Sequence, residues 1–106
     1  MYKYECIYKK ILIGNIMTEE TDESIENASH KCVFNIIKYN EDKDIAIEDK
    51  YIFKLEKVGA CCLKCKKIIT FEGKVDEINF EEKKLHKYTY VSKNNKLYKI
   101  DVDQIC

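Results

Sequence analysis

Residues 25–37 read Ile-Glu-Asn-Ala-Ser-His-Lys-Cys-Val-Phe-Asn-Ile-Ile, and this stretch decides the fold. Its apolar side chains recur every three or four residues, the spacing that puts them on one side of a helix. The stripe consists of Ile25, Ala28, Cys32, Val33, Ile36 and Ile37. We predict a helix of about four turns that begins between Thr18 and Asp22, where acidic and capping residues suit the positive end of the helix dipole.

The far end of this helix is open to a second interpretation. Residues 32–39 are rich in Val, Phe, Ile and Tyr, which also favour strands. The polar residues 40–44 close the element with a turn in either case.

The chain on both sides of the helix has strand patterns. Tyr4, Cys6 and Tyr8 alternate with polar residues, and a change of phase near Lys9 and Lys10 predicts one bent strand or a tight hairpin. Later apolar runs lie at residues 45–47, 51–55, 68–71, 75–80, 85–91 and 97–102. Polar loops at residues 81–84 and 93–96 predict that the last three strands form an antiparallel meander.

The length of 106 residues predicts one compact domain, residues 1–106. Two units, 1–57 and 58–106, could share its core, because units of roughly 50 residues bury too little surface to be stable alone. We therefore expect one cooperative unfolding transition.

The charge of the chain is balanced but unevenly placed. Residues 1–50 carry 7 Lys against 11 acidic residues, and residues 51–106 carry 12 Lys against 8, with no Arg anywhere. A net charge of zero argues against non-specific nucleic-acid binding and against DNA mimicry. Without Arg, sequence-specific DNA recognition is also disfavoured.

Six cysteines are present, and the chain shows no apolar stretch of signal-peptide or membrane-span length. We therefore expect a cytoplasmic protein without membrane contact. In that reducing compartment, free thiols or metal ligands are favoured over disulfides. Cys32 is expected in the core and Cys6 could be buried too, while both histidines, His30 and His86, are expected on the solvated surface.

The Cys62-x-x-Cys65 motif has the spacing of half a zinc site. The missing ligands would have to come from Cys61, Cys6, Cys32, Cys106, His30 or His86. Ordinary thiols packed at a turn or in the core are the favoured interpretation, so we expect no cofactor, with zinc at Cys62 and Cys65 as the alternative. The sequence has no nucleophile elbow and no glycine-rich phosphate loop, and we do not expect an enzyme.

A basic, aromatic surface is the candidate partner-binding site. It consists of Tyr88, Tyr90, Tyr98, Lys87, Lys96 and Lys99. Such side chains can stack bases or anchor a protein partner. Half of the side chains in a small sheet point outward in any case, so a purely structural role is the alternative.

Two resemblances bear on origin and fold. Residues 1–57, through Tyr4-Glu-Cys-Ile-Tyr8 and Asp22-Glu-Ser-Ile-Glu-Asn-Ala28, resemble the strand, strand, helix, strand units of short phage and conjugative-element proteins. Residues from 51 onward resemble an SH3-like small barrel, through Glu72-Gly-Lys-Val-Asp-Glu-Ile78, Tyr88-Thr-Tyr-Val91 and residues 97–102. The first resemblance implies mobile-element origin. The second implies that the protein binds peptides, proteins or nucleic acids.

The predicted fold is therefore α+β, with one principal helix packed on antiparallel sheet and a C-terminal half that is a meander or an SH3-like barrel. The predicted function is a small non-enzymatic protein of a phage or mobile element. It would bind, and inhibit, a host protein or nucleoprotein complex, as an anti-CRISPR inhibitor does. The alternatives are a nucleic-acid-binding small barrel and a zinc-stabilised module.

Overall fold

The structure is a computed structural model that describes residues 2–21, 23–58 and 68–105. These residues form six antiparallel strands, one long α-helix and a short 3-10 helix. The elements are β1 (Tyr2–Tyr8), β2 (Ile11–Thr18), α1 (Ser24–Asp42), β3 (Lys50–Val58), β4 (Ile68–Ile78), the 3-10 helix (Phe80–Leu85), β5 (Thr89–Val91) and β6 (Leu97–Ile105). The predicted α+β class, with one main helix on an antiparallel sheet, is confirmed.

The strands form one curled sheet in the order β2-β1-β3-β4-β6-β5. Helix α1 contacts β2 and β6, near the two sides of the sheet, as well as β1, β3 and β4 between them. One helix can reach both sides because the sheet curls around it. The two edges of the sheet, β2 and β5, therefore flank α1.

The N-terminal strands form a tight hairpin, the second of the two predicted arrangements. Lys9 and Lys10 make the turn with φ angles of 50° and 64°, the left-handed conformation that a two-residue hairpin turn of matching twist requires. The register shifts between Cys6 and Ile7, which leaves Ile13 as an extra residue in β2. Such a bulge bends the strand and strengthens the curl of the sheet.

Helix α1 buries five of the six predicted stripe residues against the sheet, and the sixth, Ile25, is half-buried. Ala28, Cys32, Val33, Ile36 and Ile37 are each 0% exposed. The helix is continuous to Asp42, so the alternative strand at residues 32–39 is wrong. Its predicted start was also wrong, because β2 continues to Thr18, paired with Tyr2 of β1, and the helix begins only at Ser24.

The close approach of α1 to β4 requires a glycine. A Cβ atom added at Gly73 would lie 2.7 Å from Cγ2 of Val33, so a side chain there would force Val33 or the helix to shift.

The C-terminal strands do not follow meander order. β4 pairs with β6, and β5 lies outside them at the edge. Residues 81–84 lie in the 3-10 helix of a longer connection, so a hairpin loop there was a wrong prediction. Residues 93–96 do connect β5 to β6, with Asn95 at φ 60°.

The core and one covalent bond join elements that are distant in sequence. Buried side chains from β1, α1, β3, β4 and β6 form one hydrophobic cluster. Cys6 of β1 and Cys32 of α1 are both 0% exposed and form a disulfide, with their Cα atoms 5.7 Å apart. Both residues are buried as expected, but the preference for free thiols fails for this pair. The helix stripe points Cys32 directly at β1, and the Cα separation suits a disulfide.

Candidate functional site

The three tyrosines of the predicted partner-binding surface are half-buried and pack against the core. The hydroxyl of Tyr88 donates to Oδ1 of Asn27, and its ring stacks on His30 with the ring centroids 3.6 Å apart. Tyr98 pairs with Tyr90 across β5 and β6, on the same side of the sheet as the core residue Ile100. These rings are engaged by the protein itself.

Tyr90 belongs to a polar cluster that holds β5 against the end of α1. Its hydroxyl donates to Oε1 of Glu41 at 2.7 Å, and the backbone N–H of Lys93 donates to Oε2 at 3.2 Å. The Lys93 ammonium donates to the Glu41 carbonyl oxygen at 2.6 Å. Burial, and then the hydrogen bond to Glu41, raises the pKa of Tyr90 well above its usual value. The hydroxyl therefore stays protonated and remains a donor.

The predicted lysines point in different directions. Lys87 pairs with Glu23 at 3.6 Å and Lys96 with Glu77 at 3.7 Å. Lys99 pairs with Asp101 at 3.9 Å and lies on the face opposite α1, since its neighbours Tyr98 and Ile100 face the core. The six predicted residues are therefore not brought to one surface, and partner binding through them stays a prediction.

Of the other candidate residues, the structure describes His30 but not Cys62 or Cys65. His30 is 6% exposed and its Nδ1 lies 2.7 Å from the Glu26 carbonyl oxygen, so the expectation of a solvated His30 was wrong. Cys62 and Cys65 fall outside the described residues, and the zinc site stays a prediction. Within residues 2–21, 23–58 and 68–105, no group of three or more His, Cys, Asp or Glu side chains could hold a metal ion.

A groove that the sequence did not predict runs between β2 and α1. Three cavities lie along it, of about 510, 270 and 220 Å³. The first cavity is lined by the end of β2 and the start of α1. The second and third are lined by the start of β2 and the end of α1. The linings include both ends of the strand but none of residues 14–16, and we call this space the β2–α1 groove.

The strand side of the groove is a free sheet edge. β2 is the last strand in the sheet order, and no described strand pairs with the side that faces away from β1. The backbone N–H and C=O groups on that side are available for pairing.

The helix side of the groove is polar. Glu23, Asn27, Lys31, Asn35, Lys38 and Asp42 line it at the three- and four-residue spacing of one helix face. At the hairpin end the lining changes to Tyr8, Ile11 and Ile45, together with Lys9 and Lys43. A segment in the groove would therefore meet polar groups along most of its length and apolar contacts at the turn.

One polar atom in this groove lacks a partner. Thr18 lines the 510 Å³ cavity and is 3% exposed, and its Oγ1 makes no hydrogen bond to any described residue. Leaving a buried hydroxyl unpaired costs about 1–3 kcal/mol. The sequence pattern alone could not reveal this, because it placed Thr18 at the predicted start of the helix.

Among the described residues, no helix is both long and apolar enough to cross a membrane. Comparison with protein-family models, with curated proteins and with solved structures finds no significant match to this chain.

Proposed function

We propose that this protein is a non-enzymatic interaction protein that binds an extended segment of a partner protein by strand addition to β2. One observation carries the proposal. The free edge of an eight-residue strand runs beside a helix, with three cavities along the space between them. Strand addition to such an edge gives affinity through backbone hydrogen bonds and specificity through pockets for alternate side chains.

The length of β2 suits this mode of binding. An extended chain beside eight strand residues spans roughly 26 Å, at about 3.3 Å per residue. The polar face of α1 forms the opposite wall, so side chains of the bound segment that point toward the helix can form hydrogen bonds and ion pairs. The segment would become a seventh strand of the sheet, next to the six described ones.

The identity of the partner rests on the sequence. A host protein or nucleoprotein complex met by a phage or mobile element, and inhibited by this protein as by an anti-CRISPR inhibitor, is the partner class that we propose. Cytoplasmic location, an SH3-like C-terminal half and direct nucleic-acid binding stay predictions.

Selection of peptides tests the proposal. A library of random peptides is enriched on the immobilised protein, and the affinities of the enriched peptides are then measured in solution. Asn35→Arg places a long side chain in the middle cavity and should weaken binding about tenfold or more. Ile52→Arg is the matched control, because Ile52 is 53% exposed on the face opposite α1. It should leave binding unchanged.

Hydrogen exchange of the bound protein supplies the second measurement. Exchange of the β2 backbone amides should slow when an enriched peptide binds, since strand addition gives those groups partners. Failure to enrich any peptide, equal losses in the two Arg variants, or slowing confined to strands other than β2 would each refute strand addition.

A further inference from the structure

The edge strand β2 is uncharged and largely apolar. Its eight residues, Ile-Leu-Ile-Gly-Asn-Ile-Met-Thr, include no charged side chain. Three of its large apolar side chains, those of Ile11, Leu12 and Met17, are exposed. Edge strands are commonly protected from other chains by charged side chains, by Pro or by short length, and β2 has none of these. The strand is therefore suited to pairing with another apolar strand.

The bulge in β2 places Leu12 and Met17 on the same face of the sheet. Leu12 pairs with Ile7 of β1 and Met17 pairs with Lys3, and both of these β1 residues alternate with the buried side chains that face α1. In a regular strand, residues an odd number apart point to opposite faces, but the extra residue Ile13 restores the phase. Both side chains therefore point away from α1.

A second copy of β2 in antiparallel orientation would match these two side chains to each other. With a two-fold axis beside Asn15, Leu12 and Met17 are equally far from the axis, because the extra residue Ile13 takes no pairing position of its own. Leu12 of each copy then lies beside Met17 of the other. Directly opposed side chains are the contacts that stabilise paired strands, and the symmetric arrangement makes this apolar contact twice.

The charges at the two ends of β2 favour the antiparallel direction. Lys9 and Lys10 precede the strand, Glu19 and Glu20 follow it, and all of them are exposed. Antiparallel pairing brings the lysines of one copy to the glutamates of the other at both ends, whereas parallel pairing would put like charges together. Lys10 and Glu19 are also equally far from Asn15 in pairing positions. Exposed ion pairs add little affinity, but these fix direction and register.

We infer that β2 pairs with β2 of a second copy of this chain, in a two-fold symmetric dimer whose two six-stranded sheets are continuous. The contact is limited to one strand from each copy, so the dimer should be weak, with a Kd on the order of 10 µM. It uses the edge to which the proposed partner segment adds, so the partner and the second copy exclude each other. This exclusion rests on the proposed strand addition, whereas the dimer does not.

Sedimentation equilibrium over a range of protein concentrations measures the dimer. Leu12→Lys places a charge beside Met17 of the other copy, twice in each dimer, and should weaken association about tenfold or more. Ile52→Lys is the matched control, because Ile52 is 53% exposed on the same face of the sheet but lies in β3, away from the edge. It should leave association unchanged.

A compensating variant tests the register and separates lost pairing from lost folding. Leu12→Lys/Met17→Glu puts opposite charges at the opposed positions and should recover about threefold or more of the affinity lost in Leu12→Lys. Leu12→Lys/Ile52→Glu has the same net charge and should recover none of it. A Leu12→Lys protein that had merely failed to fold would not be rescued by Met17→Glu.

A peptide copy of the strand tests whether the dimer and an added segment use the same edge. The peptide acetyl-Lys-Ile-Leu-Ile-Gly-Asn-Ile-Met-Thr-Glu-amide has the sequence of residues 10–19. It should lower the dimer fraction as its concentration rises, because it binds the monomer and removes it from the equilibrium. A peptide of the same composition in scrambled order should leave the dimer fraction unchanged.

The outcomes separate this dimer from the proposed partner binding. A protein that stays monomeric at all concentrations refutes the dimer and leaves strand addition to its own peptide selection. Equal effects of Leu12→Lys and Ile52→Lys refute pairing through β2, and a double variant without recovery refutes the register. A dimer that the peptide copy does not dissociate refutes the shared edge. A β2 dimer on a protein that enriches no peptide from the library supports this inference and refutes the proposed function.

Discussion

The two edge strands of the sheet flank the same helix, but they differ in length and in their contacts with it. β5 has three residues, and polar side chains on and beside it bind α1, with Tyr90 and Lys93 both bonded to Glu41. β2 has eight residues, and cavities lie between it and α1. Proteins normally shorten or cover their edge strands to avoid pairing with other chains. The short β5 edge, which we call the sealed edge, follows that rule. The β2 edge, which we call the open edge, departs from it, and this is where the proposed partner strand would bind.

The largest expected effect concerns the disulfide that ties β1, the neighbour of the open edge, to α1. Reduction of the Cys6–Cys32 bond should lower the free energy of unfolding by about 3 kcal/mol, because the unfolded chain regains the freedom that the bond removes. Denaturant unfolding with and without reductant measures this. Mass spectrometry after alkylation should show these two cysteines unmodified before reduction.

A variant with Ala at both positions is the control for that experiment. Reductant should not change the stability of Cys6→Ala/Cys32→Ala. Alkylation of Cys6 and Cys32 in the unreduced, unfolded protein would show that the bond does not form.

The sealed edge should respond strongly to loss of Glu41. Glu41→Ala leaves the Tyr90 hydroxyl and the Lys93 backbone N–H without their acceptor and should destabilise the protein by about 2 kcal/mol. Glu19→Ala is the matched change at the open edge, where no described residue pairs with the carboxylate, and it should change stability by less than about 0.5 kcal/mol. Urea unfolding compares them, and equal effects would remove the distinction between the edges.

Thr18→Val should have a small effect of the opposite sign. The hydroxyl is buried without a partner among the described residues, so its replacement by a methyl group should stabilise the free protein by about 0.5–1 kcal/mol. The melting temperature would rise slightly. A destabilised variant would show that Oγ1 has a partner in solution.

The smallest effect is a pH dependence at the sealed edge. The pKa of Tyr90 is raised in the folded protein, by burial first and then by the Glu41 bond, above the usual value of 10.0. The unfolded chain therefore loses this proton first, and stability falls as the pH rises above 10.0. Tyr90→Phe should lose stability less steeply over that range. Identical slopes would show that Tyr90 does not contribute.

Local patterns were sufficient for some elements and insufficient for others. The stripe from Ala28 to Ile37 predicted the helix, because helical periodicity is set by neighbours along the chain. The start of α1 was misplaced, since residues as far as Thr18 pair with β1 and that pairing is a long-range contact. The hydrogen bonds of Tyr88 and Tyr90 to the helix could not be foreseen either, because their partners are 61 and 49 residues away.

By itself, the sequence determined the α+β class, the buried helix stripe and the change of phase near Lys9, all of which depend on alternation over a few residues. The structure decided that this change is a hairpin and not a bend. The tertiary structure alone decided which strand became an open edge, which cysteine faced Cys32, and which side chains lined the β2–α1 groove. These depend on strand order and on the curl of the sheet. Both arise from contacts between residues far apart in the chain, which no local pattern records.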